Sequence, residues 1–110
     1  MEGFVKGDIV ATLFPFSDLK SIIKRPALVL ANLGGNDVIL CQITKKERPD
    51  RNKLELNPND IIGGNLKLKS FIRPSKLFTI DESLILYKIG TLRDNKLKDV
   101  IDTLIKIFSQ

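Results

Sequence analysis

Apolar residues in this chain fall in short runs cut by turn residues, and their period changes near the end. Gly7-Asp8 opens a run from Ile9 to Phe14 that stops at Pro15. After Pro26, the run Ala27-Leu28-Val29-Leu30-Ala31 closes at Asn32, and a third run extends from Val38 to Ile43 before Thr44. Runs of this length bounded by Gly, Pro, Asn and Asp predict strands. Gly34-Gly35-Asn36-Asp37 joins the second to the third, and these residues tolerate the left-handed backbone of a tight hairpin. Leu54 and Leu56 form a weaker strand before the turn Asn57-Pro58-Asn59-Asp60. Gly63-Gly64-Asn65 leads into another, with Leu66 and Leu68 alternating against Lys67 and Lys69, and Ile85 to Ile89 gives the last, closed by Gly90. From Leu97 the apolar positions become Leu97, Val100, Ile101, Leu104, Ile105 and Phe108, the stripe of an amphipathic helix. Asp94 is its expected N-cap, since a short carboxylate can accept from a free first-turn amide.

Short strands followed by one helix predict a mainly β fold, a small and strongly bent antiparallel sheet with a C-terminal α-helix, in a single domain over 1–110. The second and third runs are apolar at nearly every position, so both faces of those strands must be covered. One helix covers only part of that surface. A second copy of the chain is the natural cover for the rest, and a homodimer is expected.

Composition narrows the chemistry. No apolar run approaches the roughly 20 residues that span a bilayer, and the first residues lack the basic-then-apolar order of a signal peptide. Cys41 is the single cysteine, which together with the missing signal predicts a reducing, cytoplasmic setting. The net charge of +5 suits a polyanionic partner, although many soluble proteins carry as much. The chain has no histidine. That removes the usual general acid–base and the commonest metal ligand, so no zinc site and no cofactor are expected. Catalysis, if any, falls to Arg, Lys, Thr, Ser, Asp or Glu.

Three places hold polar groups suited to chemistry. Arg25 ends the polar link Ser17–Lys24 and precedes Pro26, which biases it to extended backbone at the mouth of the second strand. A guanidinium there can donate several coplanar hydrogen bonds to phosphate oxygens; the plainer reading is a surface arginine paired with Asp18. Thr44 alternates with Gln42 on one face of the third strand, against Ile39, Cys41 and Ile43 on the other. It enters the charged loop 45–53, whose length and polarity suggest a mobile segment over a site. Its plainer reading is a threonine favoured by strand geometry. Ser70, followed by Arg73 and Lys76, is by itself a polar interruption, and Lys67 and Lys69 read as solvated charges. Cys41, on the apolar face, reads as core packing.

Taken together, GDIVATLFPF (Gly7 to Phe16), KRPALVLAN (Lys24 to Asn32), DVILCQIT (Asp37 to Thr44) and SFIRPSKLFTIDESLI (Ser70 to Ile85) resemble the MazF/PemK toxins in order and spacing. The resemblance covers nearly the whole chain. It implies an SH3-like antiparallel barrel with a C-terminal α-helix, a homodimer, and a metal-independent endoribonuclease of a type II toxin–antitoxin system. The implied substrate is single-stranded RNA, cut by attack of its own 2′-hydroxyl, and the implied partner is a cognate antitoxin whose disordered tail blocks the groove. Carried over by position, the reactive arginine falls on Arg25 and the threonine closing the third strand on Thr44. Lys24, Lys45, Lys46, Arg48 and Ser70 form the implied RNA-binding set. Two positions depart from the family pattern: Ser21-Ile22-Ile23 stands where glycine and glutamate are common, and Lys45 where serine is common. Two other readings remain beside this one. A CcdB-like toxin would bind DNA gyrase without cutting nucleic acid, and a catalytically silent module would bind RNA or antitoxin only.

Overall fold

A computed structural model describes residues 3–15 and 22–110. Its core is one seven-stranded antiparallel sheet: β1 (Asp8–Pro15), β2 (Ile22–Gly34), β3 (Asp37–Thr44), β4 (Leu54–Leu56), β5 (Ile61–Ile62), β6 (Ser70–Asp81) and β7 (Ile85–Leu92), followed by helix α1 (Asp94–Phe108). The strands lie in the order β4-β6-β3-β2-β1-β7-β5. The sheet curls into the small barrel-like form with a terminal helix that the sequence predicts. No helix among the described residues is long and apolar enough to cross a membrane.

The expected hairpin joins β2 to β3. Gly35 and Asn36 sit at its tip with φ of 58° and 79°. Positive φ at both central residues is the condition of a type I′ turn, whose twist matches that of the flanking strands.

Alternation along β1, β2 and β3 sorts the apolar residues onto two faces. Ile9, Leu28, Cys41, Ile43 and Ile72 are buried on one, where Leu97, Val100, Ile101 and Leu104 of α1 pack. Val10, Ala27, Val29 and Leu40 are buried on the other, with Phe4 and Phe78 against them. The rings of Phe14 and Phe78 meet edge-on, centroids 4.4 Å apart and planes at 70°. The curled chain therefore covers both faces of β2 and β3 itself, and a second copy is not required for that purpose. The helical stripe is only partly used, since Ile105 and Phe108 remain 59% and 72% exposed.

Several local expectations are corrected. Residues 63–69 do not form a strand; Gly63 turns the chain out of β5 with φ of 73°. Gly64 then lies so close to β7 that a Cβ there would stand 1.6 Å from the Ile89 carbonyl oxygen. The long strand in this region is instead β6. It pairs with β3 through a register shift that leaves residues 74–76 between Arg73↔Gln42 and Leu77↔Cys41, a bulge that accommodates Pro74, which cannot donate to a ladder. Asp94 is not the N-cap: Arg93 holds that position in extended backbone, with no side-chain capping bond. Asp94 opens the first turn, where its charge faces the positive end of the helix dipole.

Candidate functional site

A cleft of about 880 Å³ opens beside β1, β2, β3 and β7. Consecutive residues border it on two strands, Arg25-Pro26 on β2 and Ile43-Thr44 on β3. Because neighbours in a strand point to opposite faces, Pro26 and Ile43 share the face of Ala11 and Tyr87, and Arg25 and Thr44 border the cleft beside that row. The register agrees: Ala27 pairs with Gln42, so two steps further Arg25 comes opposite Thr44. Arg25 also pairs with Thr12 on β1, whose buried hydroxyl donates to the Leu84 carbonyl at 2.9 Å. Asp18, the carboxylate the sequence offers as partner for Arg25, and the rest of 16–21 lie outside the described residues.

Thr44 is 4% exposed. Its Oγ1 accepts the Lys46 amide at 3.1 Å, which folds the chain back and leaves the hydroxyl proton to donate elsewhere. Lys45 and Lys46 border the cleft through this turn. Ser70 borders it from β6, its Oγ donating to the Leu68 carbonyl at 3.0 Å. Arg48 is the one expected site residue that the cleft leaves out; its carbonyl instead accepts Lys53 Nζ at 2.7 Å.

The loop 45–53, expected to be mobile, is pinned. Arg73 Nε meets Asp50 Oδ2 at 2.9 Å, and its Nη1 donates to the buried Gln42 at 3.0 Å. Burial pushes the Asp50 carboxyl up, but hydrogen bonds from Arg73 and Asn52 and the charges of Arg73 and Lys53 outweigh it, leaving the group below its ordinary 3.8. The loop therefore presents Lys45 and Lys46 from a fixed base.

Two bordering residues escape sequence reasoning. Lys67 lies on the irregular segment before β6, and Tyr87 on β7. Neither stands in a motif; the β1–β7 pairing brings Tyr87 here, and Lys67 arrives on a segment that pairs with no strand. The cations Lys24, Arg25, Lys45, Lys46 and Lys67 border the cleft, and no carboxylate does among the described residues. Nor does any group of three His, Cys, Asp or Glu converge among them to hold a metal. Cys41 lies in the core, and burial pushes its thiol up to about 12, which makes it inert as a nucleophile. The arrangement is chemically suited to a polyanion and can stabilise negative charge on a phosphate placed there.

Comparison with known proteins agrees with this fold. A MazE–MazF crystal structure from Deinococcus radiodurans superposes with a TM-score of 0.79 at 16% identity, over 99% of this chain and 99% of that one. A mycobacterial endoribonuclease in complex with its cognate antitoxin gives 0.75 at 14%, over 97% and 96%. The Mycobacterium tuberculosis toxin MazF-mt6 gives 0.73 at 16%, over 93% and 96%. Among curated protein sequences none matches significantly. The pattern of the PemK-like, MazF-like toxins of type II toxin–antitoxin systems matches residues 5–108. With nearly the whole length matched and the fold in agreement, this chain belongs to that toxin family.

Proposed function

We propose that the chain is a metal-independent, sequence-selective endoribonuclease that cuts single-stranded RNA by attack of the substrate's own 2′-hydroxyl. One observation carries the reading: Arg25 and Thr44 border one cleft with four lysines and no carboxylate among the described residues. In the step envisaged, the 2′-oxygen bonds to the adjacent phosphorus while the bond to the 5′-oxygen breaks. The products are a 2′,3′-cyclic phosphate and a 5′-hydroxyl; the 2′ proton passes to water, and the leaving oxygen takes one up. A guanidinium stays charged throughout, so Arg25 acts by holding the phosphoryl oxygens as their charge grows. Thr44 donates to the same phosphate and fixes the line of attack. Lys24, Lys45, Lys46 and Ser70 hold the flanking backbone.

Family membership supports the rest of the proposal. The chain works in the cytoplasm as one domain over 1–110, paired as a homodimer and silenced by a cognate antitoxin. The uncovered Ile105 and Phe108 support the first association, and the cationic cleft suits an acidic antitoxin tail. In the test, purified protein is given RNA and a DNA of the same sequence, with and without excess EDTA. Cutting of RNA alone, unchanged by EDTA and ending in cyclic phosphate, is expected. Arg25→Ala lowers the cleavage rate by roughly 100- to 1,000-fold. Cleavage that needs added magnesium, or cleavage of the DNA, overturns the mechanism. Toxicity that depends on gyrase and survives Arg25→Ala would favour a gyrase poison instead.

A further inference from the structure

We infer that Tyr87 is a stacking platform for a nucleobase of the bound strand, a position that adds affinity without reading base identity. The inference rests on the RNA reading of the cleft. Tyr87 pairs with Ala11 across β1 and β7, and Ala11 pairs with Pro26 across β1 and β2. Directly opposed residues share a face, so Tyr87, Ala11 and Pro26 form one row. With strands about 4.8 Å apart, the row sets Tyr87 about 10 Å from the Arg25-Pro26 corner. That is the scale of one nucleotide measured from the phosphate the arginine would hold.

The ring is fixed yet open. Lys24 Nζ donates to its hydroxyl at 3.1 Å and lies 5.4 Å from the ring centroid. Those two lengths put the ammonium beyond the hydroxyl rather than over the ring, so this cation does not cap the faces. Tyr87 is 48% exposed and, among the described residues, is the sole aromatic bordering the cleft. An aromatic face beside a line of cations is the usual device for holding single-stranded nucleic acid, with the base on the ring and the phosphates on the charges. Stacking tolerates any base, because each has a π-face.

The chain has one tyrosine and no tryptophan, so its intrinsic tyrosine emission reports this position alone. The probes are a short mixed-sequence oligoribonucleotide with 2′-O-methyl riboses, which cannot be cut, and an abasic strand of equal length. Binding is followed separately by fluorescence anisotropy of an end-labelled strand. Quenching of tyrosine emission by the base-bearing strand, but not by the abasic one, is expected. Tyr87→Ala should weaken binding by roughly 5- to 150-fold, and by similar factors for strands rich in each base. Tyr87→Phe, which keeps the ring, should lose less than Tyr87→Leu, which keeps only bulk. Binding without quenching, equal quenching by the abasic strand, or equal losses in Phe and Leu variants would overturn the platform while leaving the nuclease reading intact. Failure of the wild type to bind any strand would overturn both.

Discussion

Replacing Arg73 with methionine tests whether one ion pair holds the β3–β4 loop. The guanidinium joins Asp50, whose side chain is 9% exposed, while its own is 20% exposed; it also satisfies Gln42, itself 8% exposed. Arg73→Met keeps length and removes charge, leaving a carboxylate out of water and an amide oxygen without its donor. Breaking such a pair costs about 3–5 kcal/mol when fully buried. Arg73 retains some solvent, so the lower end, about 3 kcal/mol, applies here. For 110 residues, an unfolding entropy of roughly 2.1 cal/mol/K per residue converts each kcal/mol into about 4 °C. A fall in Tm of about 12 °C is expected by calorimetry at neutral pH. The double variant Arg73→Met/Asp50→Leu should recover much of the loss, because no stranded charge remains. Acid supplies an independent check. Asp50 titrates lower in the folded chain than its ordinary 3.8. Its contribution is therefore present above that value and lost as pH falls through the folded pKa. Asp50→Asn should flatten this part of the acid limb. A Tm within about 2 °C of wild type for Arg73→Met, or a double variant no better than the single, would refute the reasoning.

Three further outcomes are expected. If Lys24, Arg25, Lys45, Lys46 and Lys67 all neutralise phosphates, the salt slope of log K for single-stranded RNA should be about −3.5, and Lys46→Ala should flatten it by about 0.7; a salt-independent affinity contradicts the cleft's role. Cys41, buried with its thiol at about 12, should resist iodoacetamide in native protein and react fully in denaturant, as mass spectrometry would show; rapid native labelling contradicts the core assignment. Gly64→Ala, whose Cβ would stand 1.6 Å from the Ile89 carbonyl, should force β5 and β7 apart, seen as faster amide exchange at residues 89–92. Unchanged exchange there contradicts so close an approach.

Legibility in the sequence followed the physics that each element depends on. The hairpin could be read because Gly35 and Asn36 supply a backbone geometry few residues accept. β1 and β3 could be read because their apolar runs are set by local burial. β6 escaped because Pro74 breaks the pattern, and its bulge exists only against β3. The segment 63–69 looked like a strand by alternation, yet Leu66 packs on the core while Lys67, Leu68 and Lys69 stay exposed; two-fold patterning does not reveal whether a partner strand is present. Thr44 stood out because it ends an apolar strand, and Arg25 because it directly precedes Pro26 and an apolar run, although β2 itself begins three residues earlier. Tyr87 and Lys67 did not, since Tyr87 depends on the distant β1–β7 pairing and Lys67 lies on a segment that pairs with no strand. The anchor from Arg73 to Asp50 spans 23 residues and leaves no trace in spacing.

The pairing of Ala11 with Tyr87 bears on how the chain is made. A ribosome releases β1 long before β7 exists, and a long-range contact of this kind forms late and slowly. Until β7 emerges, the cleft lacks one wall, and a nascent or truncated chain holds its cations without the frame that aims them. The cleft is thus complete only once the last strand has paired with the first.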